Sequence, residues 1–194
     1  MELEGAAIAV FCGSSPGHHP SFMALAAALG EAIARRGASV VYGGASVGLM
    51  GAVADAALTA GGRVVGVIPE SLRNRELAHT GLSALHVTPD MHTRKARMAA
   101  MAAAFIALPG GYGTWEEVLE IATWRQIGLH HRPIVLVNHR GYYDPLVAQI
   151  ETAAREGFMS ETLRSFLFAA TTVDEALGYL AGYTEPANER AKFA

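Results

Sequence analysis

The chain has 194 residues, 51% hydrophobic and 17% charged, with a formal net charge of −3 and a pI near 6.2. This composition specifies a globular chain with a sizeable core and argues against disorder, general nucleic-acid binding and binding to an anionic membrane, while leaving room for a local basic pocket. A single cysteine, Cys12, excludes a disulfide framework within the chain and fits a reducing cytoplasm.

The chain opens MELEGAAIAVFCGSS, with two glutamates before a short apolar run. A signal peptide would carry basic residues and a longer apolar core, and no apolar stretch reaches the ~18 residues of a membrane span. A soluble cytoplasmic protein is expected. AAIAVFC (6–12) reads as a buried strand. A helix follows from about Pro20 to Arg36, closed by Gly37 as its C-cap. ASVVY (38–42) is a second strand, leading through GGASVGLMG into a helix ending near Ala60. RVVGVI (63–68) is a third strand and ALHVT (84–88) a fourth. A helix is predicted from about Asp90 to Ala103, a fifth strand over AFIAL (104–108), and a helix from about Thr114 to Gly128. PIVLV (133–137) is a sixth strand, with a helix near 144–156.

Strands without polar alternation, separated by helices, mean a parallel sheet covered on both faces. The expected fold class is α/β: a single Rossmann-like, doubly wound domain over residues 1–183, its mainly parallel sheet flanked by helices. A polar, frayed tail is expected over residues 184–194.

Ligands bind such folds at the carboxyl ends of the strands. Four strand-to-helix junctions there carry unusual chemistry: CGSSPG after the first strand, YGGASVG after the second, PDMHTRK after the fourth and PGGYGT after the fifth. Gly110, Gly111 and Gly113 can expose backbone N–H groups at a helix N-terminus, an anion site reinforced by the helix dipole. Ser14, Ser15, Gly43 and Gly44 could add donors. The pattern is neither a Walker motif nor G-x-G-x-x-G, and plain turn geometry would also use these glycines.

Thr114-Trp115-Glu116-Glu117 has the spacing of a capping box, with Thr114 as N-cap and Glu117 reaching back. The other reading turns Glu117 into the pocket, where a carboxylate can bind ribose hydroxyls, orient water or stabilise positive charge on a sugar ring. Glu116 and Glu120 read as solvated. Arg94 and Lys95 lie near a helix N-terminus, where a cation is locally unfavourable. They are either exposed basic residues or partners of an anion.

PDMHTRK followed by ALPGGYGTWEEVLE closely resembles the Lonely guy family of cytokinin-activating nucleotide hydrolases. The family signature PGG-x-GT-x-x-E is matched by Pro109 to Glu117, and M-H-x-R-K by Met91 to Lys95. YGGASVGLMG and RPIVLVN…GYYDPL also look like the family, and the resemblance runs to about residue 180. It implies cleavage of the N-glycosidic bond of N6-substituted adenosine 5′-monophosphates, and often AMP, to free base and ribose 5-phosphate. It implies no metal or organic cofactor. By matching positions, Arg94 and Glu117 take the family's catalytic roles. Glu76, Lys95, the loop Gly111, Tyr112, Gly113, Thr114, Trp115, Glu116 and Glu117, and Thr123 take its substrate-contact roles. Gly110, Ser14, Gly43 and Gly44 join them as candidate substrate-binding residues. Thr123, six residues past Glu117, is not on the same helix face.

Breaking the bond to the base builds oxocarbenium character on the ribose, which a carboxylate stabilises. Arg94 stays protonated and is suited to positioning rather than acid catalysis. Eight histidines show no metal-binding spacing, so no metal site is expected. Cys12 reads as a small buried hydrophobe, and Ser14 lacks a nucleophile elbow. Members of this family also carry a lysine decarboxylase label, which would need a lysine Schiff base; only Lys95 and Lys192 exist. The rival reading is a non-hydrolytic binder or carrier of a nucleotide or of molybdenum cofactor. The segment 95–105 and the following helix present wide apolar faces, which predicts a homodimer; the alternative is that C-terminal helices cover them in a monomer.

Overall fold

Seven short strands run parallel in one sheet: β1 (Ala7–Phe11), β2 (Ser39–Tyr42), β3 (Val64–Pro69), β4 (Ala84–Thr88), β5 (Ala104–Ala107), β6 (Ile134–Val137) and β7 (Leu167–Ala170). The structure is a computed structural model and describes residues 1–73 and 78–185. The strand order is β4-β3-β2-β1-β5-β6-β7. The chain winds outward from β1 to β4, then crosses back to lay β5 against β1. That reversal opens a crevice between the carboxyl ends of β1 and β5, the place where a doubly wound sheet binds its ligand.

The helices are α1 (Ser21–Arg35), α2 (Gly48–Thr59), α3 (Glu70–Leu72), α4 (Met91–Met101), α5 (Tyr112–Gln126), α6 (Asp144–Arg155), α7 (Glu161–Arg164) and α8 (Val173–Gly182). Apolar side chains alternate between the two faces of each strand, so one sheet carries two cores. On one face Ile8, Val10, Val40 and Ile106 pack against Leu29 and Ile33 of α1, Val53 of α2 and Leu177 and Leu180 of α8. On the other, Ala9, Phe11, Val41 and Phe105 pack against Met98 of α4 and Val118 and Ile121 of α5. Helices α1 and α2 touch backbone to backbone: a Cβ at Gly30 would lie 2.1 Å from the Val53 carbonyl oxygen. Gly37 ends α1 at φ +70°, as its C-cap role requires.

Two expectations change. Strand β4 is not buried on both faces, for Leu85 and Val87 are exposed while Ala84 and His86 are half-buried and Thr88 is buried. It is an edge strand, and the three residues of α3 are too few to cover it. The seventh strand, LFAA, and α8 were not anticipated. Four residues, three of them half-buried on the opposite edge, give too short an apolar run to stand out. The expected tail falls mainly on residues 186–194, outside the described ones.

Candidate active site

The loops after β1 and β5 are stitched together at the crevice, with the Gly13 N–H donating to the Pro109 carbonyl at 3.0 Å. A Cβ at Gly110 would fall 2.8 Å from Gly13 N and 2.0 Å from Thr114 Oγ1. Glycine is required at 110 by this close approach. None of Gly110, Gly111 and Gly113 has a positive φ. At Gly111 and Gly113 a Cβ would meet nothing within 4 Å, so the space beside both is open. Together with Ser14, Ser15, Phe22 and Tyr142 these loops line a cleft of about 370 Å³. A larger groove, about 660 Å³, runs between α1 and α2 over Ala24, Ala28, Ala52 and Ala56 and carries none of the expected chemistry.

Helix α5 starts at Tyr112, two residues earlier than its expected N-cap. Gly111 is the N-cap, without a side-chain cap. The capping box therefore does not form. Thr114 is buried under Gly110, inside the first turn, and Glu117 points elsewhere. The Trp115 N–H bonds back to the Gly111 carbonyl. Ahead of it, the N–H groups of Tyr112, Gly113 and Thr114 are the orphan donors that open every helix, here without a cap to take them. Donors so placed at a helix start are suited to an anion.

Beside it, Arg94 Nη2 lies 3.2 Å from Glu117 Oε1, with both side chains more than nine-tenths buried. Arg94 Nε also donates to the Val67 carbonyl, 3.2 Å, and Nη1 approaches Met91 Sδ at 3.1 Å. Helix α4 is fixed by its own cap, Asp90 accepting from the Thr93 N–H at 2.7 Å. Gly43 makes room for the guanidinium, because a Cβ there would lie 2.3 Å from Arg94 Nη2. Burial pushes the Glu117 carboxyl up to about 7; Arg94 pulls it down and Glu116 pushes it up by smaller amounts. The carboxyl thus titrates near neutrality although it faces a guanidinium. Cys12 lies within the field of the same pair, and burial pushes its thiol up, so it stays protonated.

Lys95 is buried and clasped by Glu116 and by Glu120, the latter at 3.0 Å. Burial pulls its pKa down, but the two carboxylates outweigh that and hold the ammonium above its ordinary value. Glu116 and Glu120 are therefore not simply solvated. Glu120 Oε2 is buried without a hydrogen-bond partner among the described residues. Arg94 and Lys95 are likewise not exposed basic residues.

The structure thus brings Arg94, Lys95, Gly43, Glu116 and Glu117 together, and gathers Ser14, Gly110 and Gly111 at the adjoining cleft. Tyr112 and Gly113 stand exposed at its rim, where Tyr112 packs edge-on against Trp115 at 5.5 Å. Gly44 is not at the cleft: it is buried at φ +77° against Ile68 and Leu85. Thr123 is exposed on an outer face of α5, its hydroxyl donating to the Leu119 carbonyl at 2.7 Å. Glu76 lies outside the described residues. The sequence reading missed that Gly43 accommodates Arg94, and that Tyr142 and Tyr143 bond to the β5 loop. The adjacent tyrosines before Asp144-Pro145 were the available signal. Among the described residues, no group of three or more His, Cys, Asp or Glu could hold a metal ion, and no helix is long and apolar enough to cross a membrane.

The family profile described as "Possible lysine decarboxylase" matches residues 50–180. The chain is 52% identical over 171 residues to a cytokinin riboside 5′-monophosphate phosphoribohydrolase of Rhodococcoides fascians, covering 88% of this chain and 86% of that protein. It is 46% identical over 183 residues to cytokinin riboside 5′-monophosphate phosphoribohydrolase LOG3 of Arabidopsis thaliana, covering 94% and 85%. Among solved structures, a molybdenum cofactor binding protein of Rippkaea orientalis superposes with a TM-score of 0.70 at 21% identity, covering 91% of this chain and 96% of that one. The Moco carrier protein of Chlamydomonas reinhardtii gives 0.68 at 20% identity. At that identity the likeness concerns the fold alone. With most of its length matched at about half identity, and with the PGG-x-GT-x-x-E and M-H-x-R-K motifs on either side of one buried ion pair, the chain belongs to the Lonely guy family.

Proposed function

We propose that this chain hydrolyses the N-glycosidic bond of N6-substituted adenosine 5′-monophosphates, and of AMP, releasing the free base and ribose 5-phosphate. One observation carries the reading: a carboxyl buried against a guanidinium, beside a row of backbone donors. The 5′-phosphate sits on the donors at the start of α5 and on the Ser14 loop. The ribose then falls beside Glu117. As the bond to the base lengthens, positive charge grows on C1′ and the ring oxygen, and the Glu117 carboxylate stabilises it and orients the attacking water. Overall, water adds its oxygen to C1′ and its hydrogen to the departing base. Arg94 keeps its proton, holds Glu117 in place and neutralises part of the phosphate charge. Lys95, fixed by Glu116 and Glu120, adds a second cation. Being held protonated between two carboxylates, Lys95 does not suit the Schiff-base role that a decarboxylase would need.

A non-hydrolytic nucleotide or molybdenum-cofactor carrier on this fold would have no use for a carboxylate buried at this cost. Incubation with isopentenyladenosine 5′-monophosphate and with AMP, read by chromatography of the free base, tests the proposal. Absence of base release from either overturns it.

The proposal includes a homodimer, in the cytoplasm. Helix α8 packs with α1 on the other face of the sheet, so it does not cover α4 and α5. Met91, Trp115, Leu119 and Ile127 stay exposed along those helices, each with two-fifths or more of its surface in solvent. Such an apolar band calls for a partner. Thr123 shares this outer face, so its contact with substrate would be made across that interface.

A further inference from the structure

Three successive carbonyls of the β5 junction are held by groups from other loops. The Leu108 carbonyl accepts from the Tyr143 hydroxyl at 2.7 Å, the Pro109 carbonyl from Gly13 N–H at 3.0 Å, and the Gly110 carbonyl from the Tyr142 hydroxyl. In a trans peptide the C=O and the following N–H point to opposite sides. Fixing the Gly110 carbonyl therefore fixes the direction of the Gly111 N–H.

The two tyrosines arrive from a turn that is itself tightly determined. Arg140 takes φ +58°, the left-handed region, followed by Gly141 at φ +72°. A non-glycine residue persists there only where its neighbours force it, a condition concentrated at functional sites. Here Asn138 supplies the force: its Oδ1 accepts from the Tyr143 N–H at 2.7 Å and its Nδ2 donates to Asp144 Oδ1 at 2.7 Å. Tyr142 also lines the cleft and packs edge-on against Phe22 and Tyr143. Tyr143 is buried, and that burial raises its pKa, so its phenol remains a donor.

We infer that Tyr142 is a positioning residue: its hydroxyl pins the Gly110 carbonyl so that the Gly111 N–H is presented to the 5′-phosphate, while Tyr143, bonded to the carbonyl that precedes Pro109, which has no N–H, only anchors the strand end. This rests on the reading of that junction as the phosphate site. The test is Tyr142→Phe, which keeps the ring and removes only the hydroxyl. Direct binding of ribose 5-phosphate by calorimetry is expected to weaken roughly five- to tenfold, the worth of one hydrogen bond. KM for AMP should rise by a similar factor, with kcat changed less than threefold and the melting temperature little moved. Tyr143→Phe should lower the melting temperature, because it leaves a buried carbonyl unpaired, with ribose 5-phosphate affinity changed less than in Tyr142→Phe, since Pro109 carries no N–H to misdirect. Asn138→Ala, which keeps both hydroxyls but unties the turn, should weaken ribose 5-phosphate binding too, and decides the matter if Tyr142→Phe is insoluble. Unchanged ribose 5-phosphate affinity in Tyr142→Phe overturns the inference, as does a wild-type protein that does not bind ribose 5-phosphate. A wild-type protein that binds ribose 5-phosphate but releases no base overturns the hydrolase reading alone, and the binding data still decide Tyr142.

Discussion

Replacing Glu117 by Gln separates its proposed catalytic role from its cost to the fold. The side chain is buried and 3.2 Å from Arg94, and glutamine keeps its shape and one acceptor oxygen there. Electrostatic and water-orienting roles of this kind are worth about 10² to 10⁴ in rate, or about 3 to 5 kcal/mol of barrier. Base release from isopentenyladenosine monophosphate should fall by that factor in kcat, with KM nearly unchanged. Stability should move the other way above neutrality. The Glu117 carboxyl is raised from 4.5 to about 7, so between those pH values the folded protein binds a proton that the unfolded chain has lost. The stability linked to that proton is present below pH 4.5 and is lost as pH rises through 7, about 3 kcal/mol in all. Glutamine has no proton to lose. Thermal melts should therefore show Glu117→Gln gaining on the wild type between pH 5 and pH 8. A variant that turns over within a factor of three of the wild type would refute the catalytic reading. A stability difference that does not change over that range would refute the account of burial.

Activity itself should rise with pH through about 7 as Glu117 loses its proton, seen in kcat/KM profiles; a rate flat from pH 5.5 to 8.5 would contradict the carboxylate role. Gly43→Ala places a Cβ 2.3 Å from Arg94 Nη2, the far end of a flexible side chain, so the fold should tolerate it while kcat falls about 10²-fold from the displaced guanidinium; an active variant would remove Arg94 from the mechanism. Gly30→Ala has no such relief, because backbone lies 2.1 Å from its Cβ, and chemical denaturation should show a loss of about 1–3 kcal/mol with the active site intact. Light scattering should give about twice the 20.4 kDa chain mass; a mass near 20.4 kDa would leave the apolar band on α4 and α5 unexplained.

How much of this was legible in the sequence depends on whether the deciding force was local. Strands β1 to β6 and helices α1, α2, α4, α5 and α6 were, because buried parallel strands and amphipathic helices are written as runs and periods in adjacent residues. The two T-x-x-E segments mark the limit. Thr172-Val173-Asp174-Glu175 forms the cap that the spacing promises: Thr172 accepts from the Glu175 N–H at 3.1 Å, and Glu175 reaches back to the Thr171 N–H at 2.7 Å. Thr114-Trp115-Glu116-Glu117 has the same spacing and forms none. The difference lies outside both segments. Glu175 stands in solvent, where a backbone N–H is the best partner on offer. Glu117 is carried under α4, where Arg94 is the partner and Gly43, from a third loop, leaves the space for it. Neither Arg94 nor Gly43 is near Glu117 in sequence; the sheet order brings them there by winding β1 to β4 out one way and returning to β5 beside β1. A carboxylate buried against a guanidinium sits where solvation alone would not leave it, and that misfit is visible only once the sheet is assembled.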